Sequence, residues 1–495
     1  MALTNIEHIV VVMMENRSFD NLLGWLYDIQ TNPPGFNIPS QPQPTFNGLR
    51  AQTYFNQLNG KSVFASRPPT AWPPAENPNV VPSPDPHEGF TNVTLQLFGT
   101  ATPVVGGAAD MSGFLKDYSA PDAGGSTAAQ IMQTFGPQEA NVINDLARNF
   151  AVCDEWYSSV PTETWPNRGF VHTGSSDGHI NNDDYEPYDI PTIFNVLESH
   201  GKSWGVFHDT TLIPSLTLTQ FLPRLVPHGE KIQRYNTFKN LCAAAATAPA
   251  ARKLPQYAFV EPRFTPELGL FAIDYPSDYH PPHNICRGEQ FLADVYQAVR
   301  NSPYRDNILL VVTFDEHGGC YDHIPPPEGA AVPDPWPQSR DGTFNFSRFG
   351  VRVPTILVSS YIKPGTVFRA PAGQATYDHT SILATVRDWL SLDADAQNPF
   401  LTSPRIKKAP TLAAVLSLDD TGKNTNWPSI TPMCSIGADD QSLQTPLNSL
   451  QHSLIAAAIR TAGPTHLATV AGSAAQAKSL RTYEDALNFI HPDAP

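Results

Sequence analysis

The sequence predicts an α/β protein whose mainly parallel sheet carries helices on both faces, with a small, mostly helical extension after residue 400. Two apolar, β-branched runs, 9–14 (IVVVMM) and 307–314 (NILLVVTF), have the composition of strands buried on both faces. Strand-like runs and helical patterns alternate over residues 192–392, as expected of a parallel sheet built from crossover units. Both runs end on carboxylate-bearing pairs, Glu15 with Asn16 and Asp315 with Glu316. Carboxylates therefore stand at the carboxyl ends of strands, where open α/β sheets bind ligands.

The elements follow in order. Residues 9–14 form the first strand. Proline and polar residues dominate 30–89, where each proline removes a backbone donor and fixes φ, so this stretch reads as one long, ordered surface loop region. Val142, Ile143, Leu146 and Phe150 share one face of a helix over 138–150. Helix 192–201 stops at Gly201, and strands follow at 203–209 and 257–262. Helix 288–302, strand 307–314, strand 354–360 and helix 380–392 complete a domain over 1–400. In the extension, 401–495, residues 449–462 read as one amphipathic helix.

Composition excludes several function classes. With 31 Lys and Arg against 47 Asp and Glu, the net charge of −16 argues against broad contact with nucleic acid and against docking on anionic lipid by general electrostatics. A metal or a local basic pocket can still attract a phosphate. Five cysteines, Cys153, Cys242, Cys286, Cys320 and Cys434, are too few and scattered for a disulfide scaffold or a CxxC zinc site, and at least one is unpaired. The first 20 residues have no basic region and no small-residue cleavage site, so they read as a strand and not as an export signal. No run of 18 apolar residues suggests a transmembrane helix.

The chemistry concentrates in a few short stretches. Glu15, Asn16, Asp315 and Glu316 bring three carboxylates toward one point, where mutual repulsion and desolvation are relieved by a divalent cation. An oxygen-rich set favours Ca, Mg or Mn, although carboxylates also bind Zn. Helix caps and surface charges are the alternative. Gly318 and Gly319 let the backbone turn sharply and a ligand approach closely. Thr164 heads the frame T-W-P-N-R, which places Arg168 one helical turn later. A hydroxyl at a helix start can serve as nucleophile toward an anion held by the backbone amides, or can simply cap the helix. His87 in PDPHEG, His280 in SDYHPPHN, His323 next to Asp322 in CYDHIPPP, and His379 in TYDHTSIL are candidates to contact phosphoryl oxygens. His208, in WGVFHDT, reads more readily as a core histidine than as a catalyst, and His172, His283 and His317 sit beside motif residues.

Five stretches taken together resemble one family. HIVVVMMENRSFDNLLGWL, TETWPNRGFVHTGSSDG, SDYHPPHNICRGEQFLADVYQAVRNSP, FDEHGGCYDHIPPP and YDHTSILATVRDWL are similar, in order, to the phosphoesterase family of bacterial phosphatidylcholine-type and plant non-specific phospholipases C, with its acid phosphatase branch. The resemblance implies an alkaline phosphatase-like sandwich over 1–400 and one divalent metal on Glu15, Asn16, Thr164, Asp315 and Glu316. It also implies hydrolysis of a phospholipid to diacylglycerol and a phosphorylated head group through a phosphothreonine on Thr164, assisted by His87, His280 and His208. Arg168, Asp322, His323 and His379 are then expected at the substrate.

The alternative within the family is a phosphomonoesterase acting on small phosphoesters. A third reading, from another class, is an interaction protein using the proline-rich stretches QPQP and RPPTAWPP. Expected partners are a phospholipid or small phosphoester, with peripheral membrane contact at most and no nucleic acid. Secreted relatives begin with an export signal, so the expected location is the cytoplasm, or outside by a non-classical route.

Overall fold

Strand β1, His8–Met14, is buried along its whole length and lies at the centre of a nine-stranded sheet. The computed structural model describes residues 2–67, 78–103, 107–182, 186–210, 214–269, 273–394, 399–436, 442–461 and 479–490. The other strands are β2 (Phe36–Ile38), β3 (Ala151–Cys153), β4 (Trp204–His208), β5 (Ile232–Arg234), β6 (Tyr257–Glu261), β7 (Ile308–Phe314), β8 (Thr355–Val358) and β9 (Thr366–Phe368). Their order across the sheet is β2-β9-β3-β8-β7-β1-β6-β4-β5. Every neighbour pair is parallel except those made by β8, which runs against both β7 and β3. The fold class is therefore the predicted one, a mainly parallel α/β sheet.

β1 and β7 are the two apolar runs singled out in the sequence, and they pair in register from His8 opposite Ile308 to Met14 opposite Phe314. Val, Ile and Leu fill both faces because helices cover both sides. Helix α1 (Asn141–Asn149), α2 (Thr164–Thr173), α3 (Ile193–Ser199), α4 (Ile285–Arg300) and α5 (Thr380–Leu390) supply that cover. α4 begins three residues before the predicted start at 288, because the Asn284 side chain accepts the Cys286 amide and caps the helix there. Inside α4, Glu289 is fully buried and accepts the Val142 and Ile143 amides at the start of α1, at 2.5 and 3.3 Å, and the Tyr279 hydroxyl at 2.5 Å. Burial pushes its carboxyl up to about 7.

The stretch 30–89 differs from the expected loop. Phe36–Ile38 joins the main sheet as edge strand β2, a position where the nearby prolines cost no ladder bond. Phe55–Leu58 and Lys61–Phe64 form a hairpin whose turn is Asn59-Gly60, both at positive φ, the backbone that a two-residue hairpin turn requires. Most of RPPTAWPP lies outside the described residues.

After residue 400, the described helices are Pro404–Lys408, α6 (Ser449–Thr461) and α7 (Tyr483–Ile490). This tail does not stand apart. Ile406, Leu412, Trp427, Leu450 and Ile455 belong to the same apolar core as the strands, and Cys434 is disulfide-bonded to Cys286 at the start of α4. Cys153, Cys242 and Cys320 are free and buried. Among the described residues, no helix is long and apolar enough to cross a membrane.

Glu289 generates a pH prediction. Its folded carboxyl holds a proton more tightly than an unfolded one, so its contribution is full below about pH 4.5 and is lost as pH rises through about 7. Wild type should therefore lose stability relative to Glu289→Gln between those limits, by up to about 3 kcal/mol. Melting temperatures of both proteins across that range measure the difference; a constant difference would show that Glu289 titrates normally.

Candidate active site

The register of β1 and β7 fixes the centre of the site. Because Met14 is opposite Phe314, the next residues, Glu15 and Asp315, leave the sheet side by side, and both are fully buried. Asn16 follows at φ +56, and its amide donates to Asp315 Oδ1 at 3.1 Å. The same oxygen accepts the Glu316 amide at 2.7 Å.

Thr164 is the first residue of α2, and its hydroxyl donates to Glu15 Oε2 at 3.1 Å. One turn later Arg168 donates to Glu15 Oε1 through Nε at 2.9 Å and Nη2 at 2.5 Å, with Nε 3.6 Å from Asp315 Oδ2. Asn167 anchors the turn that delivers the helix, donating to the Val160, Thr162 and Glu163 carbonyls. The polar members of T-W-P-N-R thus act differently, for Thr164 faces Glu15, Asn167 shapes the entry and Arg168 neutralises part of the acidic pair.

Gly318 and Gly319 answer to close packing. Both have positive φ, near +60°. A Cβ on Gly318 would lie 2.2 Å from the Asn16 carbonyl oxygen, and one on Gly319 would lie 2.6 Å from that of His87. The glycine pair thus lets the segment after β7 fold back over the segment after β1, and Gly318 donates its amide to Glu316 Oε2 at 2.7 Å.

Three further carboxylates, not singled out in the sequence, join the centre: Asp85, Glu88 and Asp278. Glu88 accepts from Asn16 Nδ2, from Ser449 Oγ at 3.0 Å, and faces His280 Nε2 at 3.8 Å. Asp278 accepts from His283 at 2.6 Å, and its carbonyl accepts the Glu15 amide at 2.8 Å. Asp85, half-buried, is 3.5 Å from His280 Nδ1. Their sequence signal was position alone, because each stands within three residues of a candidate histidine, His87 or His280.

The electrostatics are one-sided. Glu15, Glu88, Asp278, Asp315 and Glu316 are buried together. Burial first, then Asp315 beside it, pushes Glu15 well above the carboxylate range. Glu316, Glu88 and Asp85 are also pushed well up, by burial and then by neighbouring carboxylates. Asn16 Oδ1, Asp315 Oδ2, Glu316 Oε1, Asp278 Oδ2 and His280 Nε2 are buried without a hydrogen-bond partner. Such orphaned acceptors are what a hard or borderline divalent cation satisfies.

The histidines divide. His280 is fully buried, and its Nδ1 lies 2.6 Å from the Pro281 carbonyl; donation there leaves Nε2 as the bare nitrogen. Burial holds it neutral, well below the usual histidine range. His379 lies behind the acidic pair: its Nε2 donates to the Asp315 carbonyl at 2.6 Å and its Nδ1 accepts from Trp156 at 3.4 Å. His87 touches the site through its backbone, but its half-buried ring turns outward, 3.9 Å from Asp117 and 3.6 Å from Asp122. His208 ends β4, two strands from β1, with Nδ1 2.7 Å from Thr210 Oγ1, and burial pushes it down to about 4. His317 Nε2 meets Gln96 Oε1 at 2.8 Å, His283 braces Asp278, and His172 is packed among aromatic rings in the core.

Asp322 and His323 sit in a separate cluster. Asp20, Asp322 and His323 place ligand atoms within 4.8 Å of one another, a spacing that could hold a metal ion. Arg352 already supplies the positive charge there, with Nη2 2.9 Å from both Asp20 and Asp322, while His323 Nδ1 is 2.6 Å from Asp20. Arg168, expected at the substrate, likewise faces Glu15 and Asp315.

The tail closes over this centre. From α6, Ser449 donates to Glu88, Gln451 donates to the Phe264 carbonyl and lies 3.5 Å from His283 Nε2, and Ser453 accepts from Trp165 Nε1 at 2.7 Å.

Comparison with known proteins adds an independent line. The sequence profile of the phosphoesterase family matches residues 6–393. The chain is 33% identical over 442 residues to non-specific phospholipase C3 of Arabidopsis thaliana, spanning 86% of this chain and 76% of that protein. It is 34% identical over 400 residues to non-specific phospholipase C1 of the same plant, spanning 78% and 67%. Over 424 residues it is 26% identical to the non-hemolytic phospholipase C of Burkholderia pseudomallei (strain K96243), spanning 77% and 54%.

Two variants probe this architecture. Gly318→Ala combines a positive φ with a backbone clash and should destabilise on the order of 3 kcal/mol while displacing Asn16. Ser453→Ala removes the hydroxyl that accepts the buried Trp165 Nε1–H and should cost about 1–3 kcal/mol. Denaturant titrations read both, and unchanged midpoints would refute the packing described.

Proposed function

The chain belongs to the phosphoesterase family, and from that premise we propose that it hydrolyses phosphodiesters as a phospholipase C, releasing diacylglycerol and a phosphorylated head group through a phosphothreonine on Thr164. The observation that carries this reading is the Thr164 hydroxyl, placed at a helix start and hydrogen-bonded to a buried carboxylate beside a set of orphaned acceptors. The names of the matched proteins support the substrate class.

The residues present fit one divalent cation. Glu15, Asn16, Asp315, Glu316 and the Thr164 hydroxyl would hold it, since they present oxygen donors, several without any other partner. When bound, such an ion lowers the pKa of a coordinated hydroxyl and offsets charge on phosphoryl oxygens.

The chain's own groups do the rest. Thr164 Oγ1 attacks phosphorus, and its proton passes to Glu15 Oε2, the acceptor already hydrogen-bonded to that hydroxyl. Arg168 keeps Glu15 turned toward Thr164 through two donors to the opposite oxygen. The lipid oxygen departs with a proton from solvent, water cleaves the phosphothreonine, and Thr164 recovers its proton. His280 presents bare Nε2 on this side of the site, and His379 fixes the backbone of Asp315 from behind.

Thr164→Ala should abolish turnover of p-nitrophenylphosphorylcholine with an unchanged melting temperature, and a chelator should do the same to wild type. Full activity in the variant would remove the covalent step. A preference for p-nitrophenyl phosphate over the choline diester would assign the same residues to a phosphomonoesterase.

A further inference from the structure

Away from the catalytic centre, a cleft of about 1150 Å³ opens between the segments 25–30 and 44–51 and helix α1. Trp25, Tyr27 and Phe46 give it aromatic walls, and four arginines line it, Arg50, Arg67, Arg148 and Arg369. In a chain of net charge −16 this is a local reversal of sign.

The arginines are not equally available. Arg369 is paired with Asp154, its Nε 2.9 Å from Asp154 Oδ1, and is neutralised. Arg50 donates to the Tyr54 hydroxyl at 3.3 Å, and Arg67 stands 6.0 Å over the Trp25 ring. Arg148 donates to the Leu26 carbonyl at 3.1 Å, while its Nε is buried without a partner. Among the described residues, none of these three makes an ion pair with a carboxylate. Tyr27, only 8% exposed, likewise has a hydroxyl with no partner. The acidic groups in the lining are Asp28 and Asp145. Asp28 is occupied with the Gln30 and Thr31 amides, at 2.8 and 3.1 Å. Burial raises the proton affinity of Asp145, while Asn141 and the nearby Arg148 lower it. The cleft therefore offers cationic donors and buried polar atoms that lack acceptors, which an anion would supply.

The rim is apolar. Ile29 and Met433, 44% and 66% exposed, both line the cleft and are two of the most exposed large hydrophobic side chains in the described chain. Unpaired arginines beside protruding apolar side chains suit an amphiphile presented at a surface, with its head group on the cations and its apolar part on the rim. A soluble anion would leave Ile29 and Met433 in water. One wall, Arg369 after β9 with Asp154 after β3, lies at the carboxyl end of the sheet, the end that also carries Glu15 and Asp315.

We propose that this cleft is a docking site for the surface of an anionic membrane, with a lipid phosphate held by Arg50, Arg67 and Arg148 and with Ile29 and Met433 in contact with the lipid interface. The net charge does not oppose it at close range, because at physiological salt fields beyond about 8 Å are screened and the local patch decides. The inference stands apart from the catalytic reading, since it needs only a lipid surface of negative charge.

Vesicle sedimentation tests it, with the full chain and vesicles of phosphatidylcholine alone or mixed with phosphatidylserine. Wild type should partition more strongly onto the anionic vesicles, with binding that weakens as salt rises. Arg50→Ser combined with Arg67→Ser should weaken that binding by about five-fold per arginine removed, and Ile29→Ser combined with Met433→Ser should weaken it again. Thr164, Glu15, Asp315 and Glu316 are not among the residues lining the cleft, so turnover of the soluble p-nitrophenyl ester should stay at the wild-type value and report that each variant is folded. Equal binding to both vesicle types, undiminished binding in the arginine variant, or binding of soluble glycerol phosphate without vesicle binding would each overturn the proposal.

Discussion

Met14 stands opposite Phe314 in a parallel ladder, and everything at the site depends on that register. A slip by one residue would turn the side chains of one strand to the other face, separating Glu15 from Asp315 and leaving Arg168 without its pair of acids. With the register fixed, carboxylates are driven together where water does not reach them. Two like charges about 4 Å apart repel by about 4 kcal/mol at the effective dielectric of a partly buried site. Arg168 offsets part of this through Glu15 and Asp315, but Glu316, Glu88 and Asp278 are buried as well. Protons or a cation must supply the remaining balance, and the raised proton affinity of Glu15, Glu88 and Glu316 is the same fact seen from the proton side.

The same crowding explains the backbone. Asn16 adopts a left-handed conformation and Gly318 approaches its carbonyl so closely that no side chain fits between them. The residues after β1 and β7 are thus folded against each other to aim oxygens inward. Part of the cover that keeps water from this centre comes from the far end of the chain. Helix α6 lays Ser449 and Gln451 on two loops of the site and Ser453 on helix α2. Each such bond contributes only about 1 kcal/mol net, whereas the buried Leu450, Leu454 and Ile455 on the same helix join the main core. The apolar face therefore holds the helix, and the polar residues set what it covers.

How much of this was legible in the sequence depended on the kind of signal. β1 and β7 announce themselves because strands buried on both faces have no alternation to misread, and their terminal acids give the site its address. Helix spacing puts Thr164 and Arg168 on one face once Thr164 is placed at a helix start, but that both meet Glu15 appears only in the structure, where Arg168 faces that carboxylate. The hairpin at Asn59-Gly60 was legible in principle, but the surrounding prolines drew the stretch into a single loop. Asp85, Glu88 and Asp278 could not be weighed from sequence, because nothing local distinguishes a buried carboxylate from a solvated one. Asp322 and His323 show a different limit: Arg352, from 30 residues away, pairs with Asp322, and His323 lies against Asp20, contacts that nothing in the local sequence reveals. The role of the tail was illegible for the same reason, since α6 reads only as an amphipathic helix until its contacts are known.

A phosphodiester is itself an anion, and this sets a limit on what the acidic centre can do unaided. Carboxylates that already repel one another will not attract a phosphate, and Arg168 cannot be turned toward substrate without exposing Glu15 and Asp315 to each other. The orphaned oxygens of Asn16, Asp315 and Glu316 are acceptors while the carboxylates are ionised, and in that state they cannot hydrogen-bond to phosphoryl oxygens either. Only positive charge placed among them converts the cluster from a barrier into a binding site. The arginine-lined cleft handles the complementary problem at longer range, because a protein this acidic meets an anionic surface on terms set by its local patches and not by its total charge. Attraction of a surface and tolerance of a phosphate are therefore distinct requirements, placed on different parts of the chain.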